Sequence, residues 1–480
     1  TSDTLMASGG GLRRSAARRS IIARQCTTFR PQAAPRRRSI RMAASTAPAT
    51  QPTGGGATAP PRGALLVVFL TVFIDLLGFG IVLPVMPRQV QPFLDALGVA
   101  PVARGAVIGL LFSVFSLMQF LFSPLWGQVS DRIGRRPMLL LSLAGSVVFY
   151  AVYGWAVSLS GPGPITPAAA WTALGLLLLA RIGAGIAGAS VGTAAAVIAD
   201  CTTPENRARG MALIGIAFGA GFTLGPLIAY FGLGLFGRQP WGVGAIASLL
   251  SLVALVLAVC VFPETRRPGS RAAKEFPSLS RSAAVLAMPA VGGLVLVYFL
   301  SIFAFANFEA TLARLTKSAF GMDDDGNFLV FAAIGCMLLL AGGAYRPLAK
   351  RLAESTLLAG GVSLMILGLA LVGVVAFAAA RGTPGDRLTN LFYAAAALAV
   401  AGFACVNPSV SALISKRTDP DRQGEVLGVN QSFASLGRIL GPLAGSILYD
   451  AHASHALPFV AAVVTLLGVA TLLPGIARRA

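Results

Sequence analysis

The amino-acid sequence predicts an all-α membrane protein with twelve transmembrane helices in two pseudo-symmetric six-helix bundles. Three observations lead to this fold class. The 480 residues are 55% apolar and only 12% charged, which is about half the charged fraction of a typical soluble domain. The apolar residues recur in blocks close to the roughly 20 residues that span a bilayer. The loops between the blocks carry Lys and Arg asymmetrically, as the loops of multi-pass membrane proteins do.

Residues 1–62 form a basic, disordered leader. They contain eleven Arg, no Lys and one acid, Asp3, so half of the net charge of +20 lies here. This Arg- and Ser-rich, acid-poor composition is typical of organelle transit peptides, and a basic arm on the membrane surface is the alternative. The Ser, Thr, Pro and Gly content favours the plastid envelope over the mitochondrial inner membrane.

From residue 64 onward, twelve apolar blocks are each long enough to cross a bilayer as a helix. They lie near residues 64–86, 106–126, 138–158, 170–198, 209–235, 241–262, 285–308, 327–345, 356–380, 389–414, 425–448 and 457–476. The loops after even-numbered blocks, with the C-terminus, hold 18 Lys and Arg, whereas the loops after odd-numbered blocks hold seven. The positive-inside rule therefore places both termini on one side, which we call the inner side.

The longest inner loop divides the twelve blocks into two halves. The predicted units are an N-terminal bundle (63–262), the inner loop (263–284) and a C-terminal bundle (285–480). Gly225-Pro226 in one half and Gly441-Pro442 in the other are separated by 216 residues. This internal similarity indicates two structural repeats of six helices.

The loop between the second and third blocks carries the most specific pattern in the chain. Within GQVSDRIGRRP, residues 127–137, the pattern is formed by Gly127, Asp131, Arg132, Gly134, Arg135 and Arg136. Arginines in any inner loop would act as positive-inside anchors, but this fixed order of glycine, acid and base resembles the gating loop of the major facilitator superfamily. The resemblance implies that Asp131 docks at the N-terminus of a neighbouring helix, where the dipole favours negative charge, and that the arginines are its cationic partners.

Three further segments carry the same resemblance. They are DLLGFGIVLPVMP (75–87), LARIGAG (179–185) and GFTLGP (221–226). The last is similar to the antiporter signature of the drug:proton branch, and residues 64–267 most resemble the twelve-helix tetracycline-resistance antiporters. Gly221, Gly225 and Pro226 also have a plain packing interpretation, since small residues four apart let two helices approach closely. The resemblance adds a hinge or leak-sealing role.

Four charged residues lie inside the predicted spans: Asp75, Arg181, Glu309 and Arg438. Each costs about 2.5 to 3.5 kcal/mol near a helix centre, so we predict that Asp75 pairs with Arg181 and Glu309 with Arg438. Static ion pairs are the alternative, but they contribute little stability, whereas ionisable groups in a membrane usually mark a transport pathway. Burial favours a neutral acid and a nearby arginine favours the carboxylate, so Asp75 and Glu309 are the predicted proton-coupling groups.

Asn307, Phe308, Asn407 and Gln431 are predicted to line a central cavity with these charges. A mostly apolar wall with few polar groups suits a small amphipathic organic solute. We therefore predict a monomeric secondary transporter in the lipid bilayer, not an enzyme, that exchanges protons for such a solute by alternating access. An uncoupled facilitator or metabolite importer of the same fold and a non-transporting membrane receptor are the alternatives.

The sequence lacks the residue patterns of metal, dinucleotide, ATP and nucleic-acid sites. The five cysteines lie far apart, and His452 and His455 have no Cys or carboxylate cluster around them, so we expect no metal. Gly183, Gly185 and Gly188 spell GxGxxG, but they lie inside an apolar block with no strand before them, which excludes a dinucleotide site. We expect no cofactor, no ATP-driven step because a Walker A loop is absent, and no nucleic-acid partner because the basic residues rim membrane loops.

Overall fold

A computed structural model describes residues 62–202, 204–264, 279–289, 291–419 and 422–477. The expectations for the leader and for most of the 263–284 loop lie outside these residues. The side chain of Asp75 also lies outside them, although its backbone belongs to a helix.

Within the described ranges the secondary structure is helical, as predicted, with fifteen α-helices and two short 3₁₀ turns. The helices are α1 (Arg62–Val82), α2 (Met86–Ala96), α3 (Pro101–Ile133), α4 (Arg135–Ser158), α5 (Pro167–Ala187), α6 (Val191–Cys201), α7 (Pro204–Gly232), α8 (Gly242–Val261), α9 (Leu279–Leu286), α10 (Gly292–Phe320), α11 (Asp324–Ala349), α12 (Glu354–Ala380), α13 (Gly385–Lys416), α14 (Gln423–Ala451) and α15 (Leu457–Ala477). The 3₁₀ turns are Gly188–Ser190 and Leu233–Phe236.

The long helices follow the apolar blocks of the sequence. In the described part of the chain, ten helices are long and apolar enough to cross a membrane, and α1 with α2, which meet at a bend of 45°, form an eleventh candidate. The eleventh predicted block corresponds to α14, which has 29 residues but carries more polar side chains, among them Gln431 and Arg438. The short helix α9 has no counterpart among the predicted blocks.

Two predicted spans are interrupted rather than continuous. The first breaks between α1 and α2 at residues 83–85, because Pro84 has no N–H to donate and its ring hinders a continuing helix. The fourth breaks at the 3₁₀ turn Gly188–Ser190, between α5 and α6. Each break frees backbone carbonyls that side chains elsewhere in the protein can bond.

Glycines allow close helix contacts in both halves. A Cβ on Gly225 of α7 would lie 2.9 Å from the carbonyl carbon of Gly80 in α1. A Cβ on Gly441 of α14 would lie 2.6 Å from the carbonyl oxygen of Phe303 in α10. Since ordinary side chains cannot fit at these distances, glycine is what allows α1 to pack on α7 and α10 to pack on α14.

Among the described helices, the contacts between the two predicted halves include those of α3 with α14, α7 with α11, and α2 with α10. At the first pair, Ser113 donates to the Ile439 carbonyl at 2.5 Å, and a Cβ on Gly109 would lie 2.7 Å from the Cα of Leu443. The described helices therefore belong to one compact unit.

Candidate functional site

A cavity lies between α1, α3 and α7 of the first half and α10 and α14 of the second. Its volume is about 590 Å³ when the open solvent at its mouth is included. It is lined by Leu76, Phe79, Leu83, Phe112, Phe115, Ser116, Gln119, Phe222, Ala306, Glu309, Ala310, Arg438 and Pro442. The wall is thus mostly aromatic and aliphatic, with four polar side chains.

Glu309 and Arg438 face this cavity together from α10 and α14. Arg438 donates through Nη2 to the Ser435 hydroxyl, one helical turn earlier, at 3.2 Å. Among the residues that the structure describes, neither a hydrogen bond nor a direct ion pair joins Arg438 to Glu309. The structure thus places the two predicted partners on one wall of the cavity. The other N–H donors of Arg438 are not bonded to the Glu309 carboxylate.

Arg181 lies directly behind the aromatic wall and is only 2% exposed. Its Nε donates to the Leu111 carbonyl at 3.1 Å. The guanidinium carbon is 4.5 Å from the ring centre of Phe115 and 5.7 Å from that of Phe79, both of which line the cavity. Phe79 follows Asp75 by four residues on α1, so both are on one helix face. That placement agrees with an Asp75–Arg181 pair, which remains a prediction.

Asn307 and Gln431 do not line the cavity. Asn307 is fully buried, and its Nδ2 donates to the Pro458 carbonyl at the start of α15 at 3.1 Å. Gln431 is an exposed residue of α14. The expectation that these two amides share the cavity with the charges is therefore not met. Asn307 lies two residues before Glu309, about 200° around α10, and Gln431 lies seven residues before Arg438, about two turns away along α14.

Gln119 is a cavity residue that the sequence analysis did not single out. Its Nε2 donates to the Gly188 carbonyl at 2.9 Å. That carbonyl belongs to the 3₁₀ turn between α5 and α6, where the regular helical bonding is interrupted. A glutamine in the middle of an apolar span is the signal that could have identified it, since buried amides need a partner.

The charged loop between α3 and α4 is organised around Gly134 and Glu264. Gly134 has φ of 114°, a conformation that favours glycine. Glu264, after α8, accepts hydrogen bonds from the backbone N–H groups of Arg135 at 2.9 Å and Arg136 at 3.1 Å. Asp131 instead pairs with Arg135 at 2.6 Å. Within the described residues of this loop, Glu264 is therefore the acid that bonds the N-terminal N–H groups of a helix, and Asp131 pairs with an arginine of the loop.

The other residues of the charged loop and of the GFTLGP segment lie at the surface or at a helix contact. Arg132 is exposed at the end of α3, and Gly127 has open space where a Cβ would lie. Gly221 and Gly225 lie on the α7 face that contacts α1, and Pro226 is buried. The close α1–α7 contact agrees with the packing interpretation of the GFTLGP segment.

The chain matches known proteins over most of its length. The family model described as the Major Facilitator Superfamily matches residues 68–383 and 347–479. Major facilitator superfamily domain-containing protein 10 of Bos taurus is 33% identical over 434 residues, covering 82% of this chain and 88% of that protein. The class C tetracycline resistance protein of Escherichia coli is 30% identical over 401 residues, covering 82% and 91%.

Solved structures agree with these matches. The human organic anion transporter MFSD10 (TETRAN) has a TM-score of 0.58 and 30% identity, covering 86% of this chain and 100% of that chain. A D-xylose–proton symporter has a TM-score of 0.67 at 18% identity, covering 85% and 96%, and shares the fold alone. Together with the helical architecture and the charged cavity between the halves, these matches show that the chain belongs to the Major Facilitator Superfamily of membrane transporters.

Proposed function

We propose that the protein exchanges protons for a small amphipathic organic anion by alternating access at the cavity between its halves. The observation that carries this proposal is the presence of Glu309 and Arg438 on one wall of an otherwise mostly apolar cavity. The guanidinium is a fixed positive charge that pairs with anionic groups. The carboxyl group can gain or lose a proton as its surroundings alternate between closed and open.

The lining of the cavity supports an amphipathic solute. Phe79, Phe112, Phe115 and Phe222 offer aromatic surface, which suits a flat apolar body. Sugars would need more hydrogen-bonding groups than Ser116 and Gln119 provide. A relative of 30% identity is described as an organic anion transporter, and others are tetracycline resistance proteins, which also agrees with this class of solute.

Transport in proteoliposomes with an imposed pH gradient tests the coupling. A panel of fluorescent organic anions is followed with the wild type, Glu309→Gln and the control Glu425→Gln, whose carboxylate is exposed at the start of α14 and bonds Arg422. We expect Glu309→Gln to abolish gradient-driven accumulation while solute exchange between the two sides persists. The control should retain both activities, and Asp75→Asn is measured in parallel.

Two outcomes would contradict the proposal. Gradient-driven accumulation that persists in both Glu309→Gln and Asp75→Asn would show that neither carboxyl group couples protons to transport, and a wild type that only equilibrates the solute would be an uncoupled facilitator. Binding of an anion by the wild type without any movement into the vesicles would favour a receptor.

We also propose, from the composition of residues 1–62, that the full-length protein resides in the plastid envelope. A fluorescent protein fused to the C-terminus should label plastids in a plant cell. A mitochondrial pattern would assign the leader to the other organelle, and labelling of the plasma membrane would contradict a transit peptide.

A further inference from the structure

Arg88 connects the two halves at the outer side of the cavity. It is the third residue of α2 and is only 8% exposed. Its Nε and Nη2 donate to the Ala313 carbonyl of α10 at 3.1 and 3.0 Å, and Nη2 also donates to the Thr316 hydroxyl at 3.0 Å. Its Nη1 is 3.1 Å from Oδ1 of Asp324, at the start of α11. One side chain of the first half is thus bonded to two helices of the second.

Asn327 makes a second buried connection in the opposite direction. It is fully buried in α11, and its Nδ2 donates to the Pro84 carbonyl at 2.6 Å. Its Oδ1 accepts from the Thr316 hydroxyl at 2.8 Å. Because α1 stops at Val82, the Pro84 carbonyl has no helical partner to compete for it. The bonds therefore run without interruption from Pro84 through Asn327 and Thr316 to Arg88.

These residues, Pro84, Arg88, Ala313, Thr316, Asp324 and Asn327, form what we call the outer latch. They lie on the side of the loops that follow odd-numbered spans. Arg238 and Asp325 form a more exposed ion pair between the halves on the same side, and Ser113 lies in the outer half of α3 where it bonds Ile439. The structure therefore represents a state whose outer side is closed.

Opening the outer side would break the latch. Alternating access moves one half against the other, which would carry α2 away from α10 and α11. Arg88 would then exchange its protein acceptors for water. The buried arrangement favours the closed state only while every donor has an acceptor, since a buried charge that loses its partner is strongly destabilising.

We propose that the outer latch holds the outward-closed state, with Arg88 as the residue that sets the balance between outward-closed and outward-open forms. The proposal rests on alternating access alone and is independent of the proton coupling and of the solute. Loss of the Arg88 bonds should raise the outward-open fraction by about 10-fold or more, as expected for hydrogen bonds to a charged group.

Labelling of a cavity cysteine from the outside tests the latch. In the full chain without its native cysteines, Ala310→Cys places a thiol in the cavity, and a membrane-impermeant maleimide is added to the outer side. We compare Arg88→Gln and Asn327→Ala with Arg104→Gln. Arg104 is a matched control because it also lies on the outer side, but it pairs with Asp95 of its own half at 2.6 Å.

A second reporter separates latch release from loosening of the fold. Val400→Cys lies in α13 and is fully buried. The proposal predicts that Arg88→Gln and Asn327→Ala speed labelling at Ala310→Cys by about 10-fold or more, with slow labelling retained at Val400→Cys. Asp324→Asn, which removes only a partly exposed ion pair, should give a smaller increase of about 2- to 5-fold.

Three results would overturn the latch. They are unchanged labelling at Ala310→Cys in both Arg88→Gln and Asn327→Ala, an equal increase in Arg104→Gln, or an increase at both reporters. If Arg88→Gln does not fold, the milder Asp324→Asn variant gives the answer alone. An unchanged labelling rate in that variant then counts against the latch. Failure of proton-coupled transport in proteoliposomes would leave these labelling rates as they are.

Discussion

Replacement of Arg438 by Gln should weaken the binding of organic anions without weakening the binding of neutral analogues. A guanidinium has five N–H donors. Among the described residues, Arg438 donates one hydrogen bond, to the Ser435 hydroxyl at 3.2 Å. The donors that remain can form a forked pair with a carboxylate or sulfonate of the solute. Loss of hydrogen bonds to a charged group costs about 1.5 to 3 kcal/mol, which corresponds to a roughly 10- to 150-fold increase in Kd.

The Kd of a fluorescent anion is measured by polarisation on purified protein in nanodiscs. Arg438→Lys should lose less affinity than Arg438→Gln, because it keeps the charge but not the planar fork. Arg422→Gln is the matched control, since Arg422 is exposed and lies just before α14. A change in Kd of less than about threefold for the anion, or an equal loss for a neutral analogue, would refute the role of Arg438 in anion binding.

Two further predictions concern the stability of the helix contacts, measured as thermal unfolding of the purified protein. Gly225→Val places a side chain against Gly80 and should cost about 1 to 3 kcal/mol, whereas Gly127→Ala, which meets open space, should stay within about 0.5 kcal/mol of the wild type. Equal losses of Tm would contradict the close α1–α7 contact. Glu264→Ala removes the acceptor of two backbone N–H groups at the start of α4 and should cost about 0.5 to 2 kcal/mol, with Glu264→Gln less affected. A wild-type Tm for Glu264→Ala would show that the carboxylate does not stabilise α4.

The helices could be predicted from the sequence because each is an apolar block of membrane length. Gly225, which has a packing interpretation in the sequence, lies at a close helix contact, and so does Gly441 at the equivalent position of the second half. The break at Pro84 could not be predicted in the same way, because a proline in an apolar block is compatible with either a kinked helix or an interrupted one. Mean hydropathy alone would not identify α14 as a membrane span, because its polar residues lower the value although the helix is long enough to cross.

The candidate site was predictable in its charges but not in its geometry. Glu309 and Arg438 were recognisable because charge inside a membrane is costly. Asn307 was placed wrongly although the spacing argues against it, because it stands two residues before Glu309 and therefore points about 200° away around the helix. Arg88 was counted only as a loop arginine, and its acceptors are 225 to 236 residues away in the chain.

The position of Arg181 has a consequence for turnover. The rings of Phe79 and Phe115 separate its guanidinium from the cavity. Whenever Asp75 is protonated in the proposed cycle, the arginine would therefore add positive electrostatic potential to the cavity without donating a hydrogen bond to the solute. At an effective dielectric constant of about 20, a charge about 8 Å away gains about 2 kcal/mol. Such a field enriches anions near the site, yet it falls off gradually and leaves no directional bond to rupture. The cavity can then select anions without holding them for long. A carrier must avoid a long residence time because it has to release the solute that it binds.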